Sequence, residues 1–408
     1  MKMVPCILLC ANLMLADLGL AQTNVNLIGR NAGSKILSDG NEIRVFGFAQ
    51  KFSENPSLPG TKIEVLEGDS VIIDFWNISQ GAPHTIHLHG LDVNQANDGV
   101  PHLSFEVHHM EHGFYRFKAP HPGTYLYHCH VVSSIHVQAG MYGQLIVRPK
   151  SDSNLTWEGG YKYQSEASLF MTEIDTFWHH DSVLLHDYDT SMGHHLVKIP
   201  KYEPQHFMVN GHSNQQLDST DWIVGKPNSN IYVRLTNLGY FGNLVTFPSK
   251  LNATIIDSDG RPLENPEFES SVEVYPGERY GVLLQPTEEY TGDVLVEYIN
   301  MNTGIAENEQ SVPVKINGGF VGLQEVETSE NMFYPNPTDG IVHFHPSSHL
   351  NIKQLQVQVM NELGQVVIDR LMDLNRASSL SFESLPAGLY TIQSMFQNEI
   401  ITQRLLKL

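Results

Sequence analysis

An all-β chain built from successive small sandwich units is predicted by three features of this sequence. Its 408 residues include 32 glycines and 21 prolines, with 17% charged and 41% hydrophobic residues, which fits a loop-rich β protein better than a helical bundle or a disordered chain. Short runs of period-two alternation are separated by turn residues along most of the length. Beyond the N-terminus, no stretch approaches the ~20 apolar residues needed to span a bilayer. The length allows two or three domains of ordinary size.

Residues 1–21 read as a secretory signal peptide: Lys2, then an apolar run from Val4 through Leu20 broken by Asn12 and Asp17, closing on Gly19-Leu20-Ala21. Two of the three cysteines, Cys6 and Cys10, lie inside it. Leu9 stands before Cys10, where a lipoprotein signal wants a small residue, which argues against lipidation. Cleavage leaves Cys129 alone, and a lone cysteine in an exported protein makes no internal disulfide.

The first block, 22–150, carries Lys62-Ile63-Glu64-Val65, the turn Glu67-Gly68-Asp69, Val71-Ile72-Ile73-Asp74-Phe75, Gly113-Phe114-Tyr115-Arg116-Phe117 and Gly143-Gln144-Leu145-Ile146-Val147. Such runs read as strands of an antiparallel sandwich. A polar stretch at 151–160 separates it from a second β-rich block, 165–320. That block has strand-like runs at Ile231–Leu235 and Gly281–Leu284, with the turn Pro276-Gly277-Glu278-Arg279 before the latter. A third unit spans 332–408. Of the 24 basic and 45 acidic residues, 18 and 38 fall between the leader and this third unit. A net charge of −21 argues against nucleic acid or anionic lipid as a partner.

Histidine placement is the strongest signal. Eleven of 21 histidines lie between His84 and His136, in His84-Thr85-Ile86-His87-Leu88-His89-Gly90, in Tyr127-His128-Cys129-His130 and around them. Two imidazoles, a thiolate and a weak axial thioether form the blue-copper ligand set. Cys129, His136 and Met141 in one loop supply three of these donors, and His84 from a distant strand is the natural fourth. A bound metal would hold the thiol deprotonated, which accounts for an unpaired cysteine in an oxidising compartment. In His87-Leu88-His89 and His128-Cys129-His130 the spacing of two puts both imidazoles of a pair on one face and the residue between on the other. If these strands are neighbours, four imidazoles converge on one side while Cys129 faces the blue-copper site. His102, His108, His109, His112 and His121 read as surface or loop residues.

These motifs resemble the multicopper oxidase family, whose laccase-like members carry His-x-x-His-x-His-Gly and His-Cys-His followed by His and Met. The resemblance covers about residues 25–320 and implies two Greek-key cupredoxin β-sandwich domains with copper as cofactor. It implies type 1 copper at His84, Cys129, His136 and Met141. It also implies type 2 copper at His87, the type 3 pair at His89, His128 and His130, and an electron relay from Cys129 through His128 and His130. Asp98-Gly99-Val100-Pro101 matches a further family segment. Six residues separate Cys129 from His136, where laccase-like members usually have four. The implied activity is one-electron oxidation of a small reducing substrate or metal ion, near the edge at His136, coupled to reduction of dioxygen.

The family's cluster needs eight histidines, four from each of two domains, and only one such set is present. The second block has Asn210-Gly211, Ile256–Pro262 and Pro276–Tyr280, like the copper-free middle domain of three-domain members, but no His-x-His pair. Its His179-His180, His186, His194-His195, His206 and His212 read as structural or solvent-facing. A two-fold homodimer with facing first domains would supply four imidazoles from each chain. The alternative is a non-enzymatic blue-copper electron carrier or copper-binding protein. Copper nitrite reductase chemistry ranks lower, because those relatives place an aspartate where this chain has His87.

The third unit resembles the type A sorting domain of the type IX secretion system, through Tyr334-Pro335-Asn336-Pro337, Asn361-Glu362-Leu363-Gly364-Gln365, Leu385-Pro386-Ala387-Gly388-Leu389-Tyr390 and the end Arg404-Leu405-Leu406-Lys407-Leu408. That implies engagement of the secretion machinery and delivery to the cell surface or beyond.

Overall fold

A computed structural model of the chain describes residues 22–185, 199–213, 216–217, 222–317, 333–334, 336–344, 354–361, 366–373, 379–396 and 399–408. The leader predicted at 1–21 lies outside the described residues, as do His186, His194, His195, His345 and His349. Contacts divide the chain into two compact units, Met1–Gly318 and Gly319–Leu408. Among the described residues, no helix is long and apolar enough to cross a membrane.

The first sandwich of the larger unit is built from β1 (Gln22–Ile36), β2 (Glu42–Ala49), β3 (Ile63–Leu66), β4 (Ser70–Asn77), β5 (His87–His89), β6 (His112–Lys118), β7 (Gly123–His128) and β8 (Tyr142–Arg148). They form two sheets, ordered β2-β1-β4-β6 and β3-β8-β7-β5. Alternation does what the sequence requires. In β4, Val71, Ile73 and Phe75 turn inward while Ile72, Asp74 and Trp76 are partly exposed. Together with Leu27, Phe48, Tyr115, Tyr125 and Tyr127 they make the core between the sheets, each such side chain stabilising the fold by roughly 1.5–3 kcal/mol on burial. β1 and β2 precede the first run named from sequence. β1 pairs in parallel with β4 and antiparallel with β2, with an irregularity between Arg30 and Gly33. Its polar second half, Arg30-Asn31-Ala32-Gly33-Ser34, breaks the apolar alternation that would have marked it as a strand.

The second sandwich contains β9 (Ser165–Ile174), β10 (His206–Val209), β11 (Ile223–Gly225), β12 (Ile231–Asn237), β13 (Gly242–Thr246), β14 (Thr254–Ser258), β15 (Arg261–Phe268), β16 (Ser271–Val274), β17 (Arg279–Leu284), β18 (Tyr290–Asn300) and β19 (Ile305–Ile316). Its sheets run β10-β9-β12-β17-β14-β15 and β11-β19-β18-β13-β16, around Leu169, Val233, Leu235, Val245, Val296 and their neighbours. The two sandwiches are fused by a further apolar cluster in which Leu126, Val137 and Tyr142 meet Phe170, Met208 and Leu238. Polar ties cross the same seam: Gln144 donates to Thr236 Oγ1 at 3.0 Å, and buried Arg234 donates to Thr124 Oγ1 at 2.8 Å.

The C-terminal unit has β20 (Phe333–Tyr334), β21 (Ile341–Phe344), β22 (Gln354–Met360), β23 (Val366–Asp373), β24 (Ser379–Ser381), β25 (Gly388–Phe396) and β26 (Glu399–Lys407). Its sheets, β20-β21-β24 and β23-β22-β25-β26, enclose Phe333, Val342, Phe344, Val357, Phe382 and Ile392.

Candidate metal centre

β5 and β7 are neighbours in one sheet. They pair antiparallel with His87 opposite His128, Leu88 opposite Tyr127 and His89 opposite Leu126. Since side chains alternate along each strand, this register sends His87, His89 and His128 to one face and Leu88 to the core. The ring centroids of His87 and His128 are 5.0 Å apart, those of His89 and His128 5.5 Å, and those of His87 and His130 5.2 Å. Donor atoms of His87, His89 and His128 all lie within 4.8 Å of one another. His130, just past the end of β7, joins them through its ring, while its backbone N–H donates to Thr85 Oγ1 at 2.9 Å.

Cys129 turns to the opposite side. Its Sγ lies 3.3 Å from His136 Nδ1 and 3.6 Å from His84 Nδ1. His84 is placed by a two-hydrogen-bond bridge to Val107. The six residues between Cys129 and His136 are accommodated by a left-handed Val132 and a short helix, α1 (Ser133–Gln138), which carries His136. Met141 closes the loop, its N–H donating to the His136 carbonyl and its own carbonyl accepting from Cys129 N, both at 3.0 Å. All four side chains are buried, and Met141 packs in the same core as Cys129.

Both donor sets suit a metal ion. Donors bound to one ion at about 2.0–2.3 Å sit about 3.3–3.8 Å apart, which matches the spacings around Cys129 Sγ. A soft sulfur with two imidazoles selects copper-like chemistry. Burial pushes the Cys129 thiol up to about 12, so an ion taking this site must displace its proton. Burial also depresses His128 to about 3 and His89 to about 4, the latter aided by the nearby Arg279 charge. Both imidazoles are therefore neutral, with lone pairs to give. For His87 and His128 the tautomer is set by carbonyl partners, which can only accept. His87 Nδ1–H donates to the Asp98 carbonyl at 2.7 Å and His128 Nδ1–H to the Cys129 carbonyl at 3.0 Å, leaving Nε2 of each as donor to an ion. His89 Nδ1 lies 3.3 Å from His128 Nε2.

Asp98 and Gly99 thus have a role their motif alone did not state. The Asp98 carbonyl orients His87, and Gly99, at φ +81°, lets the loop approach the Ile86 backbone more closely than any side chain permits.

Among the described residues, the other histidines join neither donor set. His112 pairs with Asp74 at 2.7 Å, and His109 Nδ1–H donates to Ser79 O at 2.9 Å. His121 Nδ1–H donates to Pro122 O at 2.7 Å, while His102 and His108 are exposed. In the second sandwich His179 is buried with Nδ1–H donating to Arg44 O at 2.6 Å, and His206 lies 3.6 Å from Asp39. One expectation changes. The resemblance implies electron entry near the edge at His136, and that side chain is itself fully buried. Trp178, Val183 and Leu184, from the segment that follows β9 and includes α2 (Asp181–Leu184), share the core of Ile135 and Met141. Tyr240 Oη also donates to the Ser134 carbonyl of α1. The segment beyond β9 turns back onto α1 to bury its own apolar residues, and only the folded chain reveals that.

Family profiles described as multicopper oxidase match residues 47–152 and 169–311, on either side of the seam. The chain belongs to the multicopper oxidase family. A profile of the secretion system C-terminal sorting domain matches residues 332–407, so the C-terminal unit of this multicopper oxidase directs type IX secretion to the cell surface or the extracellular space. The chain is similar to L-ascorbate oxidase of Cucurbita pepo var. melopepo, at 25% identity over 58% of this chain and 45% of the relative. It is also similar to copper resistance protein A of Pseudomonas syringae pv. tomato, at 31% identity over 38% and 22%. It therefore spans less than half the length of these relatives. Among solved structures, a blue copper oxidase from Nitrosomonas europaea is 25% identical with a TM-score of 0.57, covering 72% of this chain and 86% of that one. Copper is the metal of this family, and the fold is that of its cupredoxin members.

Proposed function

We propose that this protein is an exported copper-dependent oxidase, in which a reducing substrate is oxidised one electron at a time and dioxygen is the acceptor. The observation that carries this reading is the back-to-back arrangement at Cys129: its thiol meets His84 and His136, while the adjacent His128 faces the cluster with His87 and His89. Copper bound at these two sets supplies the one-electron chemistry. In this reading His84, Cys129, His136 and Met141 hold type 1 copper, His87 holds type 2, and His89, His128 and His130 serve the type 3 pair. His128 and His130 are covalently joined to Cys129, and His128 also donates to the Cys129 carbonyl. The chain itself therefore provides a short bonded path between the sets. Blocks 22–150, 165–320 and 332–408 act as copper domain, copper-free partner domain and export tail.

Only one set of four clustered imidazoles is present among the described residues, so the full cluster draws its other four from a second chain. A two-fold homodimer with facing clusters satisfies that count. Copper per chain, paramagnetic-resonance typing and native mass test the proposal together. The expected result is more than one copper per chain, a type 1 signal with further copper, and an oligomer that consumes dioxygen with a phenolic, ferrous or cuprous donor. A monomer with one copper per chain, whose colour bleaches on reduction and never returns in air, would make the protein an electron carrier instead.

A further inference from the structure

Among its described residues the second sandwich adds no member to either donor set, yet one of its turns lies against the imidazole cluster. Between β16 and β17, Gly277 sits at φ +87°, and a Cβ built there would lie 3.1 Å from His89 Cε1 and 3.4 Å from His89 Nε2. Cε1 is bonded to the Nδ1 that faces His128, so the turn meets the ring flank next to that nitrogen. Two residues on, the Arg279 guanidinium is packed against Gly90, whose missing side chain makes the room. Arg279 Nε donates to the Thr124 carbonyl of β7 at 3.3 Å, and Nη1 donates to the Gly277 carbonyl at 2.8 Å while pairing with Asp259 at 2.8 Å. The turn is rigid within its own sandwich, since Gly277 N–H donates to Asn237 O at 2.8 Å and Tyr275 N–H to the Glu278 carboxylate at 2.7 Å.

We infer that Gly277 and Arg279 are positioning residues for the four-imidazole cluster. The second sandwich is a buttress that holds the Cε1–Nε2 edge of the His89 ring and clamps the strand pair bearing His89 and His128. Gly277 leaves just enough space for the ring edge, and Arg279 ties that turn to β7 and to the residue after His89. The inference rests on the reading of this cluster as a copper ligand set.

Gly277→Ala tests it against Gly304→Ala, which imposes a similar backbone cost at φ +67° but has nothing within 4 Å. In the full chain reconstituted with copper, Gly277→Ala is expected to weaken copper binding at the imidazole cluster by at least about tenfold, the range found for residues that orient ligands. It should alter the non-type-1 resonance spectrum while the type 1 colour stays. Gly304→Ala should leave both unchanged. Equal copper affinity and spectra in the two variants overturn the inference. Carbethoxylation of His89 in metal-free protein, read by mass spectrometry, decides the buttress even if the wild type takes no copper at this cluster, a result that would sink only the ligand reading. Arg279→Ala should label His89 several-fold faster than Gly304→Ala, and equal rates would again overturn it.

Discussion

Replacing Glu173 by Gln should remove one contribution to the pH dependence of stability in the larger unit. Glu173 ends near the seam in β9 and is fully buried. One carboxylate oxygen accepts from Tyr202 Oη at 3.0 Å, from Phe241 N at 3.1 Å and from Tyr240 N, while Oε2 has no partner among the described residues. Burial outweighs those donors and pushes the carboxyl up to about 7. The unfolded chain releases this proton near the ordinary value of about 4.3. Between these values the folded state holds a proton that the unfolded state has lost, so stability falls as pH rises through the window and is flat above it. The rise from about 4.3 to about 7 is worth roughly 3–4 kcal/mol in full, at 1.36 kcal/mol per tenfold change in proton affinity, or about 5–6 °C in Tm for a domain pair of roughly 300 residues. Several depressed histidines, among them His179 at about 4, act in the opposite direction over part of the same range, so the informative quantity is the difference between variant and wild type. Urea unfolding of both proteins from pH 4.5 to 8 should show Glu173→Gln gaining on wild type by about 3 kcal/mol as pH rises, whatever its offset at pH 4.5. A difference that stays flat across that range would refute a protonated Glu173.

Two further substitutions probe the metal centre. Cys129→Ser should abolish the blue colour and lower copper per chain by one; because the thiol is buried and becomes a poorly satisfied hydroxyl, the fold should lose only about 1–3 kcal/mol by denaturant midpoint. Retention of the colour would remove Cys129 from the type 1 set. Trp178→Ala deletes a buried indole beside the His136 helix and should cost about 3–5 kcal/mol. It should also raise the carbethoxylation of His136 in metal-free protein, whereas an unchanged labelling rate would show that the cover over His136 lies elsewhere.

Much of the centre was legible before folding because side-chain direction along a strand is a local property. His87-Leu88-His89 and His128-Cys129-His130 place imidazoles on one face and the intervening residue on the other, whatever surrounds them. The runs at 63–66, 70–77, 112–118, 142–148, 231–237 and 279–284 are strands for the same reason. β1 was less visible because its polar half breaks the alternation, and its strand character comes from the ladders to β2 and β4.

By itself, then, the sequence determined which donors exist, their facing along each strand, and that Cys129 points away from the imidazoles of His128 and His130. Tertiary structure alone decided that β5 lies beside β7 with His87 opposite His128, that His136 is fully buried while Trp178 and Leu184 pack into the core of its neighbour Ile135, and that Gly277 of the second sandwich lies against His89. Facing follows from backbone geometry within a few residues. Neighbours and covers depend on contacts between segments tens to nearly two hundred residues apart, settled by which apolar surfaces bury one another.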